Sequence, residues 1–150
     1  MDIDTADPVN GNGCIIAFGG NLNDPDRTFA MAFDTLQEAG LVIEKISTVI
    51  TTGPVGCEDG APDFRNGVLA AKWYGTAREL LTLCQTMEAR FGRPNDHAKG
   101  FSRTLDLDII LFGGIKSSAP ELILPHPRAK DRDFVLIPLR EIAPGLAAVL

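Results

Sequence analysis

The sequence predicts an α+β domain of the ferredoxin-like, split βαβ type: an antiparallel sheet with helices on one face, followed by a C-terminal extension. Three observations carry this prediction. Short β-rich runs and longer runs of helical period follow one another in the order β-α-β-β-α-β. Segments rich in glycine, proline and asparagine separate them. The 150 residues suit one domain with a core of its own, so 1–150 reads as a single unit.

Residues 1–12 hold three aspartates and no apolar run, and read as a loose tail. Cys14 to Phe18 is a short apolar run closed by Gly19-Gly20-Asn21, a buried strand and a turn. Asp24 stands where a helix cap is needed, with Pro25 at the first helical position. Phe29, Phe33 and Leu36 then recur at helical spacing until Gly40. Leu41 to Thr52 is rich in β-branched residues and predicts one strand. Gly53 to Pro62, with three glycines and two prolines, is a loop.

Phe64 to Trp73 predicts the next strand. Thr76 to Phe91 is the clearest helix, with Leu80, Leu81, Cys84, Met87, Glu88 and Phe91 at helical steps and Gly92 as C-cap. Arg93 to Ser102 is a second polar loop, and Thr104 to Phe112 a strand ending at the Gly113-Gly114 turn. Leu122 to Pro127 reads as extended. Arg132 to Ile142 reads as a helix interrupted at Pro138.

Composition narrows the function classes. With 45% hydrophobic and 23% charged residues, the chain has the profile of a soluble globular protein. A net charge of −6 argues against a general nucleic-acid partner. It leaves room for a phosphate-bearing ligand, because a few arginines or a divalent cation can reverse the field within one site. Cys14, Cys57 and Cys84 are sparse and unpaired in spacing, as suits reduced thiols rather than a disulfide frame or zinc site. No stretch reaches the roughly 20 apolar residues of a membrane span, and the first ten residues carry no signal-peptide pattern. A cytoplasmic protein with no membrane partner is the expectation.

The run from Arg103 to Phe112 is the most informative. Alternation along a strand places Leu105, Leu107, Ile109 and Leu111 on one face, and Thr104, Asp106, Asp108, Ile110 and Phe112 on the other. Two carboxylates about 6.5–7 Å apart by strand rise then share a face. Like charges at that distance repel, and a divalent cation held by both relieves the repulsion; magnesium commonly takes one or two carboxylates plus phosphate oxygens and water. Spacing alone leaves the alternative open, in which both face water or pair with Arg103. Arg93 and Arg103 flank the polar loop and present planar donors suited to phosphate, or are simply solvated. His126, between two prolines in Leu-Pro-His-Pro, is either a structural or a functional ring. Neither a P-loop nor a Rossmann glycine motif is present. Phe64 and Phe134, read alone, are core residues.

Taken together, these features resemble one family. Arg-Thr-Leu-Asp-Leu-Asp-Ile-Ile-Leu-Phe-Gly at 103–113 is similar to the characteristic run of the 6-hydroxymethyl-7,8-dihydropterin pyrophosphokinases. So are Phe-Gly-Gly-Asn-Leu at 18–22, Thr-Gly-Pro-Val-Gly at 52–56, Pro-Asp-Phe-Arg-Asn at 62–66, Leu-Pro-His-Pro at 124–127 and Phe-Val-Leu-Ile-Pro-Leu at 134–139. The resemblance implies a ferredoxin-like enzyme that moves the β,γ-pyrophosphoryl group of ATP to a dihydropterin hydroxymethyl group, releasing AMP, in folate biosynthesis. It implies two Mg2+ ions on Asp106 and Asp108, with Arg93 and Arg103 stabilising charge on the transferred group. Gln85, Glu88, Lys99 and His126 are implied at the nucleotide. Phe64 and Phe134 are implied as a pterin sandwich, with Asn66 and the backbone from Thr52 to Val55 reading its polar edge. A monomer acting on small molecules is implied.

The chain departs from the family where a tryptophan-glycine-proline commonly stands: here the residues are Gly100-Phe101-Ser102. Asn95 and Asp96 replace usual basic residues, and Glu121 and Ile123 stand where an arginine and a threonine are frequent. Two other readings follow: a relative using another hydroxymethyl heterocycle or nucleotide, and an RNA-binding module of similar topology. The latter requires a basic sheet face with exposed aromatics.

Overall fold

The computed structural model describes residues 2–53, 63–92 and 104–150. Strand β1 (Asn12–Gly20) leads into helix α1 (Pro25–Glu38), then β2 (Val42–Ile46), β3 (Ile50–Thr52) and β4 (Phe64–Trp73). Helix α2 (Ala77–Arg90) precedes β5 (Asp106–Phe112), the hairpin β6 (Ser117–Ala119) and β7 (Leu122–Leu124), a 3₁₀ turn at Ala129–Asp131, and helices α3 (Asp133–Ile142) and α4 (Pro144–Ala148). The main sheet runs β2-β4-β1-β5, with β3 also on β4, and all its pairings are antiparallel. This is the ferredoxin-like order predicted from the sequence.

Residues 41–52, which the β-branched run predicts as one strand, form two. Ser47 interrupts them: its N–H donates to the Val68 carbonyl at 2.9 Å, and its hydroxyl accepts from the Val68 N–H at 2.9 Å. A hydroxyl that bonds the neighbouring backbone competes with the ladder. Both strands remain on the same edge of β4, so the topology is unaffected.

Helix α1 starts at Pro25 as predicted, but Asp24 does not cap it through its side chain. Asp24 is left-handed at φ 58, and its backbone carbonyl receives the Thr28 N–H instead. Helix α2 has a full capping box between Thr76 and Glu79, and Gly92, at φ 83, supplies the left-handed residue after its end. Pro138 lies inside α3 without breaking it. Residues 2–10, predicted as a loose tail, carry turns rather than regular structure, yet Ile3 is buried in the core and its carbonyl accepts the Arg78 N–H at 3.0 Å.

Helices α1 and α2 cover one face of the sheet. Their Phe29, Leu36, Leu80, Cys84 and Met87 pack on Ile16, Phe18, Leu69, Leu105, Leu107, Ile109 and Phe112. Phe18 meets Phe29 and Phe33 edge-on at centroid distances of 4.8 and 4.9 Å. Each fully buried large side chain here contributes about 1.5–3 kcal/mol. The C-terminal extension covers part of the opposite face: Val135 and Leu139 of α3 pack on Ile15, Val68 and Ile110.

The alternation along β5 holds only to Ile109. Ile16 pairs with Ile109 but Ile15 with Leu111, so Ile110 is an extra residue in the ladder. Such a bulge reverses the parity beyond it. Leu111 therefore joins Ile110 on the α3 face, and Phe112 returns to the α1–α2 core, the reverse of the sequence assignment for these two. Asp106 and Asp108 precede the bulge and stay on one face, as predicted.

Candidate active site

The site is built from rows across the sheet. Directly paired residues of antiparallel strands project to the same face. Asn66 on β4 pairs with Gly19 on β1, which pairs with Asp106 on β5. In the next row, Val68, Ala17 and Asp108 align in the same way. Phe64, two residues before Asn66, belongs to the same face and pairs with Thr52 of β3. Alanine and glycine on β1 thus make a floor with almost no side chain. Aromatic and amide groups flank it on the β4 side, and two carboxylates on the β5 side. Two strand spacings separate these walls, about 10 Å.

Asn66 is only 8% exposed and its orientation is fixed: its side-chain N–H donates to Thr52 Oγ1 at 2.9 Å. Its carbonyl oxygen lies over Gly19, where an added Cβ would stand 2.6 Å from it. Only glycine admits that approach.

On the other wall, Asp106 is half-buried and Asp108 exposed. Arg132, just ahead of α3, reaches Asp108 at 4.0 Å and lies over the Phe134 ring at 5.4 Å. The arginine is thus held between a carboxylate and an aromatic face. Sequence reasoning missed Arg132, because an isolated arginine before a helix carries no spacing signal. Phe134 is half-buried beside the α3 cluster.

His126 follows the cis Leu124–Pro125 peptide, and its backbone N–H donates to the Ile110 carbonyl at 2.9 Å. Its Nδ1 accepts from the Arg128 N–H at 3.2 Å, which leaves the ring proton on Nε2. Burial is the main cause lowering its pKa below the usual 6.5, and Arg132 and Arg128 add to it against the opposing pull of Asp108. The ring is thereby a neutral donor at pH 7.

Not every predicted residue reaches this face. Gln85 is exposed on α2, in the layer behind the sheet. Glu88, on the same helix, is buried, and its carboxylate accepts the Leu107 N–H at 2.9 Å. Val55, Arg93, Lys99 and Arg103 lie outside the described residues, as do Phe101 and most of both polar loops.

The donor set suits a hard cation. Asp106 and Asp108 offer carboxylate oxygens on one face, and among the described residues no group of three or more Asp, Glu, His or Cys forms a protein-only cage. Magnesium ordinarily takes one or two carboxylates and completes its shell with water and phosphate oxygens.

Residues 15–144 match the family model described as 7,8-dihydro-6-hydroxymethylpterin-pyrophosphokinase (HPPK). The chain belongs to the HPPK family. A Bacillus subtilis (strain 168) protein named 2-amino-4-hydroxy-6-hydroxymethyldihydropteridine pyrophosphokinase is 40% identical over 132 residues, 87% of this chain and 78% of that protein. A Pseudomonas aeruginosa protein of the same name is 39% identical over 134 residues, 87% of this chain and 80% of its own length. The chain also matches 23% of the length of the Arabidopsis thaliana "Folate synthesis bifunctional protein, mitochondrial", at 33% identity over 128 residues.

As an HPPK, the protein is an enzyme of folate biosynthesis that transfers pyrophosphate to 6-hydroxymethyl-7,8-dihydropterin. The RNA-module alternative is thereby overturned. The sheet face it requires carries two aspartates and is partly covered by α3. Among the described residues, no helix of this HPPK is long and apolar enough to cross a membrane. Cys14 and Cys84 are free and buried, as the sequence predicted, and burial pushes the Cys14 thiol up to about 12.

Proposed function

We propose that the face bounded by Phe64, Asn66, Phe134, Asp106 and Asp108 binds both substrates of the HPPK reaction, with ATP as donor. The observation that carries this reading is the row Asn66–Gly19–Asp106 with Asp108 beside it. It sets a fixed amide and a pair of carboxylates about 10 Å apart over a bare floor. A flat bicyclic ring fits between them, its polar edge toward Asn66 and Thr52 and its hydroxymethyl arm toward the carboxylates. Phe64 and Phe134 offer aromatic faces for stacking. Backbone groups near Thr52 and Val55 complete the reading of the pterin edge.

Asp106 and Asp108 would hold Mg2+, two ions in this reading. When bound, the metal would supply positive charge against the phosphate chain. The protein's own part is positioning. The hydroxymethyl oxygen attacks the β-phosphorus of ATP, the bond from that phosphorus to the α-phosphate oxygen breaks, AMP leaves and the hydroxyl proton is released. Little covalent chemistry is asked of side chains, so orientation and charge carry the rate. Arg132 stands beside Asp108 to meet phosphate charge, and His126 presents its Nε2–H as a neutral donor. Arg93, Lys99 and Arg103 supply further positive charge, and Gln85 and Glu88, which lie on α2 behind the sheet, would serve the nucleotide only where it passes the β5 edge. A monomer acting on small molecules is the proposed state, and the buried free thiols Cys14 and Cys84 suit the reducing cytoplasm.

The test is direct. Protein, Mg2+, ATP and 6-hydroxymethyl-7,8-dihydropterin are mixed and the products separated. AMP and pterin diphosphate in equal amounts are the expected result. ADP in place of AMP, or no AMP above a protein-free control, contradicts the reading.

A further inference from the structure

Among the described residues, strand β5, which carries both aspartates, is an edge strand of the sheet. Edge strands leave alternate backbone groups without a ladder partner. In an antiparallel pair, residues alternate between exchanging both hydrogen bonds with the partner and exchanging none. The Leu107 N–H points away from β1, because it is bonded instead to Glu88 of α2, at 2.9 Å. By that alternation, Asp106 and Asp108 are the residues tied to β1, at Gly19 and Ala17. The peptide between the two aspartates is thus held from the outer side by a buried carboxylate rather than by another strand.

We propose that Glu88 is a positioning residue for the Asp106–Asp108 pair, fixing their mutual orientation through the Leu107 N–H. The proposal rests on the reading that this pair binds a divalent cation. Three observations support it. The bond is charge-assisted and shielded from water, since Glu88 is 8% exposed and Leu107 5%. Glu88 rides on a rigid support: its helix neighbours Cys84 and Met87 are buried against the sheet, and the helix start is locked by its capping box. The edge is held again further along, where the His126 N–H meets the Ile110 carbonyl at 2.9 Å.

A rotation of the Leu107 peptide would tilt both neighbouring side chains. Groups that orient metal ligands are typically worth about 10–100-fold in metal affinity. Glu88 therefore acts on the metal side of the site through the backbone, whatever it also contributes to the nucleotide.

The experiment uses the full chain, ¹⁵N-labelled, without nucleotide, and Mn2+ as the probe, followed by the loss of its free-ion EPR signal. In the unaltered protein the Leu107 amide should exchange slowly with solvent despite its edge position. Glu88→Ala should speed that exchange at least about tenfold and weaken Mn2+ binding about tenfold. Glu88→Gln keeps an acceptor oxygen and should stay within about threefold of the unaltered protein. Rapid Leu107 exchange in the unaltered protein overturns the proposal without any variant. So does unchanged Mn2+ affinity in Glu88→Ala when Asp106→Asn has lost it. Undiminished Mn2+ binding by Asp106→Asn instead overturns the metal reading, and the Leu107 exchange rate tells the two failures apart.

Discussion

Replacing Gly19 by alanine probes the floor of the site with one methyl group. The added Cβ would stand 2.6 Å from Asn66 Oδ1 and 3.4 Å from the Arg65 carbonyl oxygen. A relaxed carbon–oxygen contact is about 3.3–3.6 Å, so the amide has to retreat by roughly 0.7 Å or more. Asn66 has little room to do so, being buried and bonded to Thr52 at 2.9 Å. Losing that bond costs about 1 kcal/mol, and overpacking of a closed site about 1–3 kcal/mol. These overlap, and the reduced freedom of the unfolded chain returns about 0.4–1 kcal/mol. The net expectation is about 1–2 kcal/mol of lost stability. At about 2–4 °C per kcal/mol for a chain of this size, Tm falls by about 2–8 °C. Displacing the amide proposed to read the pterin edge should also weaken pterin binding about tenfold, equivalent to about 1.4 kcal/mol. Thermal unfolding and pterin fluorescence titration measure the two effects. Gly13→Ala is the control, since a Cβ there meets nothing within 4 Å. An unchanged Tm with undiminished pterin affinity in Gly19→Ala would refute the packing of Asn66 over this glycine.

Two further outcomes follow from other parts of the fold. The Glu141 carboxylate accepts the Thr48 N–H at 2.7 and 3.1 Å and the Thr48 hydroxyl at 2.8 Å, joining α3 to the turn between β2 and β3. Both residues are exposed, so Glu141→Ala should cost only about 1 kcal/mol, seen as a Tm drop of about 2–4 °C and faster Thr48 amide exchange. His126 should titrate below 6.5 by NMR of its ring protons, because burial disfavours the charged form. The unfolded chain then binds this proton more readily than the folded one, so stability falls as pH drops below 6.5 and flattens under the folded-state pKa. A ring pKa at or above 6.5 would reject the half-buried, neutral assignment.

The path of the chain was legible wherever periodicity ran long. Helices α1 and α2 and the central strands lie where their apolar spacing put them, because tertiary packing there agrees with local pattern. The failures have local causes. Ser47 splits a β-branched run by bonding the neighbouring strand with its hydroxyl, which composition does not register. The Ile110 bulge reverses Leu111 and Phe112, since alternation assumes an unbroken ladder. Ile3 is buried in a segment whose charges read as a loose tail. At the site, same-face geometry for Asp106 and Asp108 followed from strand period alone. The bare floor at Ala17 and Gly19, the place of Arg132 and the bond from Glu88 to Leu107 did not, because each depends on which strand lies alongside which.

The central claim is that Asp106 and Asp108 are the metal ligands of the transfer. It is tested most directly by AMP release from Asp108→Asn at saturating ATP, pterin and Mg2+. Asp108 is exposed, and its contact with Arg132 is long at 4.0 Å, so the fold should survive the change. Turnover should fall by more than about 100-fold, since metal stabilisation of phosphoryl charge is worth several kcal/mol. Turnover close to that of the unaltered protein, with Tm unchanged, would contradict the account.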